Sequence, residues 1–291
     1  MDLERFVADV GEEGPVTIAG LSTRGGAVPD ERCVRAPSGI DWIQADEMTV
    51  SCGAGTPVDD LSAALAELGQ RTVLPPGGTV GGALATGRSG IRRLGDGPMR
   101  DALLQTRYAG ADGQLVKAGG PTVKNVSGFD VCRLLVGSRG TLGFLGDVIL
   151  RTRPIAQHSQ WHAVETDEPG AVFADLYRPA AVLWNGVTVW ALLEGHPADV
   201  AAEAAARGLV PVEAPPTLPA ERVVVAPAEQ LSIGVRLEPR TFVAELGVGV
   251  MHVAPGVLPV RPVEPGVIAL RDRIKARFDP TGRLNPGVVV G

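Results

Sequence analysis

The residues in this sequence whose types and spacing best suit chemistry are glycines. The run LPPGGTVGGALATGRSG occupies 74–90, and its pair Gly81-Gly82 lies between a strand-like run and a helix of small residues. Glycine leaves backbone N–H groups unobstructed, and a helix start adds partial positive charge, so this arrangement suits a pyrophosphate. Taken alone, the same pattern is typical of an ordinary Gly-Gly turn.

Two further glycine blocks follow. KNVSGFD occupies 124–130, and LLVGSRGTLGFL occupies 134–145 with Gly137, Gly140 and Gly143 at intervals of three. One such triplet indicates only turn chemistry. Three blocks in this order between residues 79 and 143 form a specific pattern.

The remaining reactive residues indicate no catalytic group. No nucleophile, base and orienting acid are recognisable together, so the catalytic residues stay unknown. The four histidines are His158, His162, His196 and His252. The three cysteines are Cys33, Cys52 and Cys132. The cysteines lack metal-ligand spacing such as C-x-x-C, and a metal role for His158 and His162 would need further ligands nearby. We therefore expect no metal, and free thiols in a reducing compartment. For His252, which lies near Glu245, a buried strand with one satisfied histidine is favoured over a catalytic base.

Alternating runs of strand and helix character position these blocks. The predicted strands lie at 16–20, 49–53, 147–154, 187–193, 222–226 and 248–253, with a strand–turn–strand hairpin at 102–120. The predicted helices are one capped by Thr56 before Pro57 and ended by Gly69, and others at 126–136, 201–208 and, amphipathic, 264–277. In the first helix, Leu61, Leu65 and Leu68 predict a stripe that faces the core.

Net charge and the distribution of apolar residues limit the classes of protein to which this chain can belong. The formal net charge of −6 argues against nucleic-acid binding. The N-terminus is acidic and no long apolar run is present, so we expect no signal peptide and no direct membrane insertion. A cytoplasmic protein, membrane-associated at most through a partner, is predicted. The arginine excess over three lysines is best interpreted as genomic composition.

At this point the chain resembles a known family, the FAD-binding PCMH/vanillyl-alcohol oxidase family. The shared motifs are Thr79 to Gly82, Arg100-Asp101, Lys124 to Asp130, Gly137 to Gly143 and Asp279 to Gly287. Within the family the chain is most similar to the FAD-binding (E) subunit of bacterial glycolate oxidase. The resemblance covers about 14–154 and 264–287 and is poor between them.

The resemblance implies an α+β fold, a two-lobed PCMH-type FAD-binding domain with a small α/β cap domain. It implies an FAD-binding domain at 1–154, a cap or substrate-like domain at 155–262, and a segment at 263–291 that returns to the FAD domain. It also implies that FAD contacts Gly20, Leu21, Ser22, Thr23, Pro76, Gly77, Thr79, Val80, Gly81, Gly82, Gly87, Ser89, Gly90, Ser138, Gly140, Thr141, Gly143, Val148 and Asn285.

Within that set, the resemblance implies distinct roles. Amides of the first loop, Gly20 to Arg24, and of Thr79 to Gly82 would meet the pyrophosphate. Gly87 to Gly90 would lie along the flavin, with Asn285 on the flavin side, and Ser138 to Gly143 with Val148 near the adenine end. Neither 20–26 nor 75–90 contains the His or Cys that carries covalent flavin in relatives, so we expect non-covalent FAD.

Departures from the family pattern shape the functional expectation. Leu21 stands where the first loop is usually glycine, and Val288 follows the terminal glycine where many active relatives carry Lys. We therefore expect an electron-transfer FAD subunit of a glycolate/2-hydroxy-acid oxidase-like complex, with a paralogous flavin subunit and an iron–sulfur subunit as partners. The alternatives are a stand-alone FAD oxidase of a small hydroxy acid or alcohol, and a non-catalytic scaffold that has lost FAD.

Overall fold

The computed structural model describes residues 1–120, 130–259 and 262–290. Most of the KNVSGFD motif, 124–129, lies outside the described residues; Asp130 caps the helix that follows by accepting from the Arg133 amide. Helices and strands are mixed throughout, and the predicted α+β class is confirmed. Contacts divide the chain into two units. Unit 1 contains Met1–Gly90, Pro98–Ile155 and Val263–Gly291, and unit 2 contains Ile91–Gly97 and Ala156–Pro262.

The elements match most of the predicted positions, including the hairpin, now β6 and β7. The helices are α1 (Leu3–Val10), α2 (Val58–Ala66), α3 (Val80–Thr86), α4 (Arg93–Asp96), α5 (Val131–Leu135), α6 (Pro169–Asp175), α7 (Pro197–Ala206), α8 (Gln230–Gly234) and α9 (Pro265–Phe278). The strands are β1 (Val16–Ile18), β2 (Arg32–Val34), β3 (Ile40–Gln44), β4 (Thr49–Gly53), β5 (Gln70–Arg71), β6 (Leu103–Ala109), β7 (Leu115–Gly119), β8 (Phe144–Arg151), β9 (Arg153–Pro154), β10 (His158–Glu165), β11 (Ala181–Trp184), β12 (Thr188–Gly195), β13 (Val210–Val212), β14 (Glu221–Val224), β15 (Phe242–Glu245) and β16 (Val250–Val253).

The core of unit 1 is a five-stranded antiparallel sheet in the order β3-β4-β8-β6-β7. The central strand β8 is buried at every position except Arg151, which is typical of a strand covered on both faces. Helix α2 packs Leu61 and Leu65 into this core. The predicted third member of the stripe, Leu68, is half exposed because α2 ends at Ala66.

The start of α2 differs from the predicted Thr cap. The Thr56 hydroxyl donates to the Gly39 carbonyl and accepts from the Gly39 amide, at 3.1 and 2.9 Å. No side chain caps the helix at Pro57. The prediction was wrong because a residue distant in sequence competes for the hydroxyl that local propensity assigns to the helix.

A second layer of unit 1 combines the two ends of the described chain. β1 and β2 pair in parallel, and α1 packs against them. The C-terminal segment extends this layer, because the Val16 amide donates to the Arg283 carbonyl and the Asn285 amide donates to the Val16 carbonyl, each at 2.9 Å. Residues near both ends of the sequence therefore lie side by side.

Unit 2 is built on a seven-stranded antiparallel sheet in the order β13-β10-β12-β11-β15-β16-β14. Residues of α6, α7 and α8 pack with its apolar cluster, in which the Trp184 and Phe242 rings meet edge to face at 5.2 Å. Unit 2 also includes Ile91–Gly97, tied by the Gly95 amide to the Ala180 carbonyl. The sequence predicts a single boundary near residue 154, which would place Ile91–Gly97 with the first unit.

Helix α9 is less amphipathic than its sequence predicts. Ile274 and Phe278 pack partly against the core of unit 1, but Val267, Ile268 and Leu270 are about half exposed. Across the part of the chain that the structure describes, no helix combines the length and apolarity that crossing a membrane requires.

Candidate cofactor-binding site

A cavity of about 220 Å³ in unit 1 is the place where the predicted glycine segments meet. Its walls come from the first loop, the start of α3, the turn between α5 and β8, and the C-terminal segment. The predicted site residues that line it are Gly20, Leu21, Ser22, Thr23, Thr79, Gly81, Gly82, Ser138, Gly140, Gly143 and Asn285. Small-molecule pockets usually measure about 300–1,000 Å³. This cavity is therefore sized for part of a dinucleotide.

The other predicted residues do not line this cavity. They are Pro76, Gly77, Val80, Gly87, Ser89, Gly90, Thr141 and Val148. Val80 and Val148 belong to the apolar core. The Ser89 hydroxyl accepts from the Met99 amide at 3.0 Å, and the buried Thr141 hydroxyl donates to the Ser138 carbonyl at 2.7 Å. These polar groups stabilise local turns.

The charge of the cavity wall is opposite to that of the whole protein. Among the described lining residues are two arginines, Arg24 and Arg139, and no carboxylate, although the chain carries a net charge of −6. A site lined by guanidinium, hydroxyl and amide groups attracts an anion. The described wall contains no His or Cys side chain. This donor set fits a diphosphate.

The start of α3 is arranged differently from the sequence expectation. Thr79 caps the helix by accepting from the Gly82 amide at 3.1 Å. The Gly81 amide donates to the Ala54 carbonyl at 2.7 Å, and the Val80 amide donates to the Thr56 carbonyl at 2.9 Å. The expectation that the paired glycines leave these amides unobstructed is corrected, since all three already have protein partners.

The glycines of this region permit close packing instead. A Cβ on Gly81 would lie 2.9 Å from the Ala54 carbonyl oxygen, and a Cβ on Gly20 would lie 2.8 Å from the Thr79 hydroxyl. Both distances are too short for an ordinary contact. Gly20 and Gly81 therefore allow the first loop, α3 and the end of β4 to approach one another around the cavity.

The first loop has backbone amides that are not already hydrogen-bonded to the part of the protein that the structure describes. Among the described residues, the amides of Leu21 and Ser22 have no hydrogen-bond acceptor. The left-handed position is Ser22, with φ 57°, and Leu21 has a negative φ. The leucine that replaces a family glycine therefore costs no backbone strain, and a small polar residue takes the demanding conformation.

Asn285 joins two walls of the cavity. Its Oδ1 accepts from the Thr17 hydroxyl at 2.8 Å and from the Ile18 amide at 3.2 Å. Its Nδ2 donates to the Arg139 carbonyl at 2.7 Å. Both ends of the side chain are thus used by the protein, which makes Asn285 a residue that positions the site.

Sequence reasoning missed the two arginines of the wall. Arg139 lies in the left-handed region with φ 52°, and among the described residues its guanidinium forms no ion pair or hydrogen bond. The available signal was position, because Arg24 closes the first loop and Arg139 lies inside the Gly-Ser-x-Gly motif. The arginine excess of the whole chain is explained by composition and does not single out these two residues.

In unit 2, the buried Glu245 and the partly buried His252 form a hydrogen-bonded pair on neighbouring strands. His252 Nε2 lies 2.8 Å from Glu245 Oε1, and Glu245 is 2% exposed. The other carboxylate oxygen, Oε2, is buried without a partner among the described residues. Gln230 fixes the nearby backbone by donating to the Glu245 and Val250 carbonyls, both at 2.9 Å. The described residues contain no cluster of His, Cys, Asp or Glu that could hold a metal.

Comparison with known proteins shows which family the N-terminal part of the chain resembles. Residues 10–119 match the family model described as FAD binding domain. The chain is 33% identical over 164 residues to glycolate oxidase subunit GlcE of Escherichia coli, covering 52% of this chain and 46% of that protein. It is 37% identical over 141 residues to D-lactate dehydrogenase of Archaeoglobus fulgidus, covering 46% and 32%. A third relative is glycolate oxidase subunit GlcD of Bacillus subtilis, 37% identical over 76 residues, covering 26% and 16%.

Among solved structures the fold is similar to that of alkyldihydroxyacetonephosphate synthase. The TM-score is 0.68 at 14% identity, over 97% of this chain and 74% of that one. The alignments with the curated relatives span less than half of each relative's length. The resemblance to the PCMH-type FAD-binding family is confirmed, FAD is supported as the cofactor, and the relatives support an oxidoreductase role.

Proposed function

We propose, from the premise that residues 10–119 form a domain of the FAD binding family, that this chain is the FAD-binding subunit of a glycolate or 2-hydroxy-acid oxidase-like complex. The observation that carries the proposal is the cavity of unit 1, whose described wall combines glycines, hydroxyls and two arginines without a carboxylate. Such a wall suits the diphosphate of FAD, since charge and hydrogen-bond donors both favour it.

Each wall of the cavity has a distinct task in this proposal. The amides of Leu21 and Ser22, with the hydroxyls of Ser22 and Thr23, donate to diphosphate oxygens. Arg139 supplies positive charge to the same group. The flavin, when bound, supplies the redox chemistry, and the protein supplies binding and orientation.

In this proposal FAD is bound non-covalently, and the two units have different roles. A covalent flavin link would need a nucleophilic side chain, and the described wall offers no His or Cys. Unit 2 acts as the cap or substrate-like domain, and the segment after it returns to the FAD-binding unit. The acidic chain binds no nucleic acid and inserts into no membrane; it acts in the cytoplasm, associated with a membrane at most through a partner.

The partners in this proposal are a paralogous flavin subunit and an iron–sulfur subunit. Two relatives are named as subunits of glycolate oxidase, which supports assembly with a second flavin subunit. The sequence has three cysteines without cluster spacing, so iron–sulfur ligands would come from another polypeptide. A small hydroxy acid is the substrate class that the complex oxidises.

The visible spectrum of the purified chain tests the central claim. We expect a yellow protein, or uptake of added FAD by colourless protein, because the cavity wall suits the diphosphate. After acid precipitation we expect all flavin absorbance in the supernatant, as non-covalent binding requires. A folded, colourless chain that takes up no FAD would refute the proposal and favour a scaffold that has lost the cofactor.

A second candidate is a stand-alone FAD oxidase of a small hydroxy acid or alcohol. The observation that favours it is the Glu245–His252 pair, in which a buried carboxylate oxygen lacks a partner among the described residues. Buried polar groups normally have partners, and unsatisfied ones recur at catalytic sites. Anaerobic reduction of bound flavin by substrate, with the chain alone, tests this candidate.

A further inference from the structure

One side chain connects the first loop to a second loop that does not line the cavity. Arg24 Nη2 donates to the Pro75 carbonyl at 2.7 Å and to the Pro76 carbonyl at 2.8 Å. Its Nη1 donates to the Gly77 carbonyl. Three consecutive carbonyls thus converge on a single guanidinium, whose planar fork of donors suits such a group.

The second loop, Pro75 to Gly78, is also held from the opposite direction. Asp59, in the first turn of α2, accepts from the Gly77 amide at 2.9 Å. The Gly78 carbonyl accepts from the Val58 amide, also at 2.9 Å. The loop therefore has contacts to α2 that do not depend on Arg24, and it leads directly into Thr79, the residue that caps α3.

Where the first and second loops meet, at Gly78, they pack too closely to leave room for a side chain. Gly77 and Gly78 are left-handed, with φ 76° and 66°. A Cβ on Gly78 would collide with Arg24 Nη1 and with the Thr23 hydroxyl. Glycine is therefore required at Gly78 by both its conformation and its neighbours, and the neighbours belong to the first loop.

This arrangement explains the position of two predicted site residues that do not line the cavity. Pro76 and Gly77 are among the residues implied to contact FAD, yet they do not line the cavity. Their carbonyl groups accept hydrogen bonds from Arg24 instead. Arg24 and Thr79, at the two ends of this connection, do line the cavity.

We infer that Arg24 is a positioning residue that fixes the first loop, with its donors at Leu21 and Ser22, relative to the capped start of α3. The inference rests on the proposed FAD function. With Arg24 in place, the two walls are ordered before the cofactor arrives. Without it, FAD binding has to order the first loop, and that cost weakens the affinity.

Three variants and FAD titration of the apoprotein by calorimetry test the inference. Arg24→Met removes all three hydrogen bonds with little loss of side-chain bulk. Arg24→Lys keeps the charge and three donors but lacks the planar fork. Arg5→Met is the matched control, since Arg5 lies in the same unit with a side chain 79% exposed and outside the cavity wall.

We expect the Kd for FAD to rise about tenfold or more in Arg24→Met, less in Arg24→Lys, and to stay unchanged in Arg5→Met. Hydrogen exchange of the apoproteins gives a readout that general destabilisation would not reproduce. We expect faster exchange in the first loop, with unchanged protection in β4 and β8 and at the Gly77 amide, which donates to Asp59 independently of Arg24.

The outcomes separate this inference from the proposed function. If wild type binds FAD and both Arg24 variants bind within twofold of it, the inference is wrong and the function stands. If wild type binds no FAD, the proposed function fails first. If Arg24→Met does not fold, Arg24→Lys decides: a raised Kd with local exchange supports the inference, and wild-type affinity or uniform loss of protection overturns it.

Discussion

At the scale of single residues, the site depends on side chains that bind the protein itself. The family resemblance implies that Asn285 lies on the flavin side of a bound cofactor, and Asn285 lines the cavity. Both ends of its amide, however, bind Thr17, Ile18 and Arg139. Its identity is therefore explained by the geometry of the walls: no other neutral side chain of this size has an acceptor and a donor so placed.

Replacing Asn285 tests this interpretation. We expect Asn285→Ala to lower the free energy of unfolding by about 2–4 kcal/mol, because buried partners of the amide lose their hydrogen bonds. Asn285→Asp is the matched variant. It keeps the acceptor for Thr17 and Ile18 but adds negative charge to a cavity proposed to hold a diphosphate.

Urea unfolding and FAD titration separate the two effects. We expect Asn285→Asp to weaken FAD binding more than Asn285→Ala does at equal folded fraction, because like charges repel. Equal FAD affinity in both variants would contradict the proposed position of the diphosphate.

At the scale of elements, the C-terminal segment is held by buried charge. The Arg283 guanidinium, in a residue 5% exposed, donates to carbonyls near the end of α1 and to Ala111. Asp279 accepts from Lys275 Nζ at 2.5 Å and from the amides of Arg283 and Leu284 at 3.0 and 2.8 Å. These contacts place Asn285 beside β1.

Asp279 gives this element a defined pH dependence. Burial opposes its ionisation, but the hydrogen bond from Lys275 and those from the Leu284 and Arg283 amides outweigh burial and hold the pKa below its ordinary value of 3.8. A carboxyl with a depressed pKa in the folded state stabilises at pH values above 3.8. That contribution is lost as pH falls through the folded pKa.

We therefore expect Asp279→Asn to lower the free energy of unfolding at neutral pH by about 2–3 kcal/mol, the scale of hydrogen bonds to a charged group. The difference from wild type should shrink as pH falls from 3.8 towards the lower pKa of the folded state, where the wild-type carboxyl also loses its charge. Urea unfolding over this range measures it. Asp272→Asn, an exposed site on α9, is the control, and a pH-independent difference would contradict the assignment.

Elements also show where sequence was informative and where it was not. The hairpin β6–β7 and the strand β4 follow from local pattern and turn chemistry, and the structure confirms them. The engaged amides at the start of α3 depend on Ala54 and Thr56, which β4 and its turn bring there. Local sequence contains no signal for that contact, so Gly81-Gly82 indicates an open phosphate turn equally well.

At the scale of the whole molecule, the two proposed functions rest on two separate sets of residues. The cavity belongs to unit 1, and the Glu245–His252 pair belongs to unit 2. Sequence motifs identified the first set because glycine spacing is a local signal. They missed Ile91–Gly97 as part of unit 2, since the contact that ties it there joins the Gly95 amide to the Ala180 carbonyl, far apart in sequence.

The two candidate functions differ in what the isolated chain can do. If it acts as one subunit of a complex, we expect bound flavin to stay oxidised when 2-hydroxy acids are added anaerobically, and to be reduced only when a paralogous flavin subunit is also present. Loss of flavin absorbance with the chain alone would favour the stand-alone oxidase. In that case Glu245→Gln and His252→Gln should slow the reduction while FAD affinity is kept.

The hydrogen bond between Thr17 and Asn285 spans 268 positions of sequence. Thr17 leaves the ribosome long before Asn285, so the first loop of a nascent chain stays open until the segment that carries Asn285 has emerged. The wall that Asn285 completes can close only then. We therefore expect stable flavin binding late in folding, and a chain cut before Asn285 would lack a finished pocket.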